Sequence, residues 1–260
     1  MPPGWLSRAA ALCCVLTTLA AANAFGEGAL VKVNDIVLRA DGNFQPRALP
    51  RHSFAPISFH GYLDIAAKGG GKPVALQEAT IDFDRDGRLS AGGLATCPAE
   101  SIAAASPAEA RRACAAAIVG SGRIEALVDL GGGTTAASSP LTIFNGPRQA
   151  GHPTVVLHAR FEVPAAETLA IVVPIERRRG EFRYRAQLSL PPLAAGLGAI
   201  TRIEVAIGRR FGPSAARRSY VSARCSDGVL KTHGSFLFAD GTIVDGSVEK
   251  PCLYLPTPGR

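Results

Sequence analysis

Asp82, Asp84 and Asp86, followed by Gly87, come nearest in type and spacing to a motif that does chemistry. Carboxylates at alternate positions open the calcium loop of helix–loop–helix proteins, where hard oxygens surround the ion and a glycine lets the chain turn. The far end departs from that pattern: Gly93 stands where a bidentate Glu belongs, and no helix signal precedes Asp82. The same residues also read as a β-hairpin without metal. Ile81 and Phe83 then point inward, Asp82 and Asp84 face solvent, and Asp86-Gly87 makes the tight turn. The hairpin is the preferred reading, and a weak calcium site is its rival.

The second group is basic. Arg177-Arg178-Arg179, Arg183 with Arg185, Arg209-Arg210 and Arg217-Arg218 fall at strand ends or outward positions. Merged on one face they would attract an anionic glycopolymer, a lipid headgroup or nucleic acid by nonspecific electrostatics. Specific nucleic-acid recognition is not expected, because the nearby aromatics Phe182 and Tyr184 fall on the core face and leave no stacking platform. The plainer alternative is a set of solubilising charges on outer sheet faces. His52, His60, His152, His158 and His233 show no close metal-ligand spacing and read singly as surface or satisfied residues. Ser235, in Gly234-Ser235-Phe236, lacks the nucleophile-elbow pattern. Glu162, Glu167, Glu176, Glu181 and Glu204 supply carboxylates for a glycosidase pair, which would need two of them across a cleft. No catalytic, cofactor-binding or metal residue is assigned, and no cofactor is expected.

The elements that must position these residues begin after residues 1–24, which read as a secretory signal. Arg8 gives a short positive region, Ala9–Ala21 an apolar run, and Ala22-Asn23-Ala24 a small-residue cleavage site. Residues 25–260 then form one β-rich domain, and no later stretch reaches the roughly 18 apolar residues of a spanning helix. The net charge is +7, charged residues make up 19%, and the basic excess is mostly arginine, as a high-GC coding bias would also produce. Cys13 and Cys14 leave with the signal, and Cys97, Cys114, Cys225 and Cys252 remain. An even number after an export signal implies disulfides, and the expected pairing is sequential, Cys97–Cys114 and Cys225–Cys252. A zinc site is disfavoured because no two of the four are closely spaced.

Strands are expected at Ala29–Leu38, Ile57–Ala67, Ile124–Leu130, Leu141–Phe144, Thr154–Val163, Leu169–Glu176, Glu181–Leu190, Thr201–Gly208 and Arg217–Cys225. Lys231–Phe238 and Thr242–Lys250 then form a hairpin joined at Asp240-Gly241. Asp41-Gly42 should end the first strand, and 43–54 should be loop. Alternation is clean at Val155, Leu157, Ala159 and Phe161 against Val156, His158 and Arg160, giving one dry and one wet face. One short helix is expected within 98–119, with Ser106 as N-cap, Pro107 at its first turn and Ala110, Cys114, Ala117 and Ile118 on its apolar side. Arg111 and Arg112 look outward.

Through Gly196-Leu197-Gly198, Ile207-Gly208-Arg209-Arg210-Phe211, Ser222-Ala223-Arg224-Cys225 and Phe238-Ala239-Asp240-Gly241-Thr242, with Cys97-Pro98 and Val119-Gly120-Ser121-Gly122 upstream, the chain resembles uncharacterised secreted proteins of high-GC actinobacteria. The resemblance implies an exported single domain with both cysteine pairs as structural bridges, and no activity. The expected fold is all-β, a β-sandwich-like pair of antiparallel sheets with one short disulfide-clipped helix. The expected role is noncatalytic binding or structural support in the cell envelope or outside the cell, at an anionic polymer or surface. The alternative is a secreted carbohydrate-active or other hydrolase using a carboxylate pair.

Overall fold

The computed structural model describes residues 28–213 and 218–255, so the expected signal at 1–24 and Arg217 lie outside the described residues. A 12-stranded sheet contains β1 (Ala29–Val33), β2 (Ile36–Gln45), β3 (Ser58–Ala67), β4 (Leu76–Asp84), β5 (Ile118–Asp129), β6 (Thr134–Gln149), β7 (His152–Phe161), β8 (Glu167–Arg177), β9 (Phe182–Ser189), β10 (Gly198–Ile207), β11 (Val229–Phe238) and β12 (Ile243–Pro251). Their spatial order is β1-β2-β3-β10-β5-β6-β7-β8-β9-β4-β11-β12, and every neighbouring pair is antiparallel.

The sheet rolls until its two edge strands lie together. Asn34 Nδ2 donates to Thr242 Oγ1 at 3.1 Å, and Lys250 Nζ sits 2.6 Å from Asp41 Oδ1. Inside the roll, Ile36, Leu38, Leu63 and Ile65 meet Leu76, Phe236, Phe238 and Val244 from the other edge of the sheet. A second cluster gathers Ile124, Leu141, Ile143, Phe161, Val173 and Tyr184, and Leu188 and Leu190 touch both clusters. The all-β antiparallel architecture is thus as expected, with the two facing layers being parts of one sheet. The neighbouring strands β5 and β10 approach closely at Gly122, where a Cβ would stand 1.8 Å from the Glu204 carbonyl oxygen.

The helix α1 (Pro107–Ala113) starts in a capping box: Ser106 Oγ accepts from Glu109 N, while Glu109 Oε2 accepts from Ser106 N at 2.8 Å. Cys97–Cys114 ties it to the loop leading in, and Cys225–Cys252 closes one end of the roll beside Phe44, Leu49 and Ala223. Both bridges match the expected pairing. The clipped segment lies on the outer surface of the sheet, where Ile102, Ala110 and Ala117 cover Phe144 and Val156. Val156 and His158, expected on a wet face, are therefore fully buried. Alternation located the face; a covering element far upstream, residues 97–117, removed it from water.

Other expectations need correction. Ala29–Leu38 is two strands joined by a tight turn with Asn34 at φ 52°, and β2 runs through Asp41-Gly42 because Gly42 pairs with Gly61. Asp82–Asp86 does not close a local hairpin: β4 pairs with β9 and β11, while Gly87–Leu89 leaves the sheet and pairs with Val221–Ala223. Asp82 and Asp86 are 4% and 0% exposed, since their carboxylates fold onto the protein. The stretch expected as one strand over Arg217–Cys225 appears as Arg218–Ser219 and Val221–Ala223. No helix among the described residues is long and apolar enough to cross a membrane.

Candidate polyanion-binding end and adjoining groove

All six carboxylate oxygens of the aspartate triplet accept hydrogen bonds from the chain itself. Arg185 grips Asp82 through Nε at 2.8 Å and Nη2 at 2.7 Å. Asp84 accepts from Asp86 N at 2.7 Å and Lys231 N at 2.8 Å; Asp86 accepts from Arg224 Nε at 2.7 Å and Ser226 N at 2.6 Å. Burial raises the Asp84 carboxyl above its ordinary pKa despite those two bonds. At Asp86 burial acts in the same direction, but the bonds from Ser226 and Arg224 outweigh it and hold the pKa below the usual value. The triplet anchors loops to the sheet. No group of three or more His, Cys, Asp or Glu side chains among the described residues is placed to hold a metal ion.

Because all neighbouring strands are antiparallel, the segments 46–57, 85–117, 178–181 and 208–228 all emerge at one end of the roll. Their described residues hold twelve arginines against five carboxylates. The opposite end, built from 34–35, 68–75, 130–133, 162–166, 190–197 and 239–242, holds two lysines against three carboxylates. The positive excess of the described residues therefore sits at one end.

Partners differ between wall and end. On the wall, Arg123, Arg160, Arg185 and Arg202 each pair with a carboxylate, while Arg39 on β2 and Arg148 on β6 have no ion-pair partner among the described residues. At the basic end Arg85 and Arg224 are paired, at 2.9 Å to Asp227 and 2.7 Å to Asp86. Several of the others are held by aromatic faces: Arg47 lies 5.5 Å from the Phe44 centroid, Arg51 4.5 Å from Tyr254, and Arg218 5.5 Å from Phe211. Phe54 gathers three guanidinium groups, Arg88 at 5.5 Å, Arg183 at 5.2 Å and Arg224 at 5.3 Å. A ring face positions a cation without cancelling its charge. Arg177, Arg178, Arg179, Arg209 and Arg210 are exposed, with no ion-pair partner among the described residues.

The structure thus brings Arg178, Arg179, Arg183, Arg209, Arg210 and Arg218 to one end, with Arg177 at its border, and leaves Arg185 on the wall, neutralised by Asp82. Arg47, Arg51, Arg88 and Arg224 join them, as does Phe54, which carried no periodic signal to mark it. A register shift between Phe182 and Tyr184 turns Phe182 out of the core, its ring 6.2 Å from His233.

Beside this end, on the outer wall across β2, β3, β10 and β5, lies an open depression of about 520 Å³. Asp41, Tyr62, Glu204 and Arg123 stand opposite one another in one cross-strand row, and Asn43, His60, Ala206 and Ser121 in the next. A smaller depression of about 250 Å³ shares Ser121 and extends to Arg111 and Arg209.

The remaining candidates do not converge. Glu162 pairs with Arg160, Glu181 with Lys231 at 2.8 Å, and Glu167 accepts from Ala194 N at 2.8 Å. Glu176 lies on β8. Of the five glutamates only Glu204 lines the larger depression, where it is paired with Arg202. His158 Nε2 is 3.1 Å from Ala105 O, and burial pushes the imidazole below its ordinary pKa. His233 Nδ1 meets Ser247 Oγ at 3.1 Å, His52 is exposed, and Ser235 sits within β11 between Thr80 and Asp245. No protein-family model, curated protein or solved structure matches the chain.

Proposed function

We propose that the protein is a noncatalytic binding or structural domain of the cell envelope or extracellular space, and that it docks on an anionic polymer or surface through its arginine-rich end. The observation that supports this is the excess of twelve arginines over five carboxylates at that end, where only Arg85 and Arg224 of the twelve are ion-paired among the described residues, whereas Arg123, Arg160, Arg185 and Arg202 on the wall each are. Uncompensated guanidinium groups in one place raise the local potential and steer polyanions. The two disulfides fit an oxidising compartment.

Binding of inorganic polyphosphate and of a hexameric oligogalacturonate to the mature chain, measured across a salt series, tests the proposal. Replacing Arg177, Arg178 and Arg179 with Gln should weaken both and reduce the slope of log affinity against log salt by about 2, each lost contact counting for about 0.7 to 0.9. Arg123→Gln, on the ion-paired wall, should leave polyphosphate binding within about twofold. Absence of binding to either polymer at low salt would refute the proposal.

A further inference from the structure

We infer that the wall groove beside the arginine-rich end reads the sugar backbone of an anionic glycan, so that the docking partner is a polysaccharide. The inference rests on the docking proposal and narrows it to one chemical class.

Three features of the groove carry the argument. Its floor is low because Ala206 and Ser121 are small outward residues between taller neighbours. From β2 to β6 the two depressions span four strand spacings, about 19 Å, so the site is a channel across strands that suits a linear chain. Its polar lining mixes signs: Asp41, paired with Lys250, and Glu204 accept, Lys250 and Arg123 donate, and Asn43 and His60 can do both. A hydroxyl group also donates and accepts, so a polyol satisfies such a surface. A bare polyphosphate chain only accepts, and offers no donor to Asp41 and Glu204, whose charges Lys250 and Arg202 already pair. Tyr62 stands between those carboxylates, its ring 5.0 Å from the Arg202 guanidinium, and offers the one aromatic contact within the row.

Charge complementarity supplies the rest. The channel runs through Ser121 to Arg111 and Arg209, both exposed and without an ion-pair partner among the described residues. A glycan lying in the groove therefore delivers its anionic substituents to the arginine-rich end while its hydroxyl groups meet the mixed lining.

Calorimetric titration of the mature chain with hexameric oligogalacturonate, inorganic polyphosphate and poly-L-glutamate tests this. The double substitution His60→Ala, Tyr62→Ala should weaken oligogalacturonate binding about tenfold and leave polyphosphate within about twofold. Asn43→Ala, at an exposed position, should cost at least about threefold for the same probe and carries the test if the double variant does not fold. Unchanged oligogalacturonate binding in these variants overturns the groove assignment, and an equal loss for poly-L-glutamate overturns the glycan in favour of an extended acidic peptide. If the wild-type chain binds polyphosphate but has no preference for oligogalacturonate, the groove inference fails and the docking proposal stands. If it binds no polyanion, both fail.

Discussion

Replacing Asp86 by Asn would separate the two roles that the aspartate triplet can have. The carboxylate is 0% exposed and accepts from Arg224 Nε at 2.7 Å and from Ser226 N at 2.6 Å. An amide keeps one acceptor oxygen and turns a donor toward the second partner, so one charge-assisted bond is lost, at about 1.5 to 3 kcal/mol. For a domain of this size that is a fall in Tm of roughly 3 to 12 °C. The sign with pH follows from the lowered folded-state pKa. Stability that the ionised carboxylate contributes is whole above the unfolded value near 3.9 and is lost as pH falls through the folded one. Melting curves of wild type and Asp86→Asn should therefore differ by a constant amount from pH 5 to 8 and converge below pH 4. Millimolar calcium should move neither curve, because the six triplet oxygens are already occupied. A variant melting within about 1 °C of wild type at pH 7, or a calcium-dependent rise in wild-type Tm, would refute this reasoning.

Two further outcomes test the packing. The buried His158 ring has its pKa pushed below the ordinary 6.5 by burial, so the unfolded chain takes up the proton first as pH falls. Stability should be whole above pH 6.5 and decline as pH falls through the folded value; His158→Gln, which keeps a donor for Ala105 O, should flatten the Tm profile between pH 7.5 and 5. Gly122→Ala places a methyl 1.8 Å from the Glu204 carbonyl oxygen and should cost about 3 kcal/mol or more in denaturant unfolding. Gly246→Ala meets Ala29 and Val31 at an ordinary 3.5 Å and should be neutral or stabilising by about 0.5 kcal/mol.

Local chemistry made much of this fold readable from the residues. Ser106, Pro107 and Glu109 specify the helix start by bonds that close within one turn, and the structure contains that capping box. Asp240-Gly241 forms the turn between β11 and β12, with Gly241 at φ 83°. What was not legible depends on contacts distant along the chain. Nothing around Val156 or His158 announces that residues 97–117 will cover them. The Asp82–Asp86 spacing suited a hairpin, but Arg224 and Ser226, about 140 residues away, hold Asp86 and draw the following strand to Val221–Ala223. Arg177 through Arg179 and Arg209-Arg210 could be seen as basic clusters; that they share an end follows only from strand order.

That shared end explains why the side chains there differ from those on the wall. A carboxylate beside each arginine would hold the side chain and remove its charge, as Glu125 and Asp82 do for Arg123 and Arg185. Phe54 holds Arg88 and Arg183, and Tyr254 holds Arg51, by the ring quadrupole, which orders a guanidinium while leaving its charge available; the third group at Phe54, Arg224, is paired with Asp86. Ordering before contact lowers the side-chain entropy lost on binding, so an arginine stacked in advance is a better anion ligand than a free one. Phe54→Leu therefore separates organisation from charge. It keeps every cation and much of the apolar volume but removes the ring, and it should weaken polyphosphate binding by a few-fold with the salt slope unchanged, because the number of cations is the same. A fall in slope would mean that the arginines act only when another residue holds them in contact, and equal affinity would mean that the ring has no part in binding.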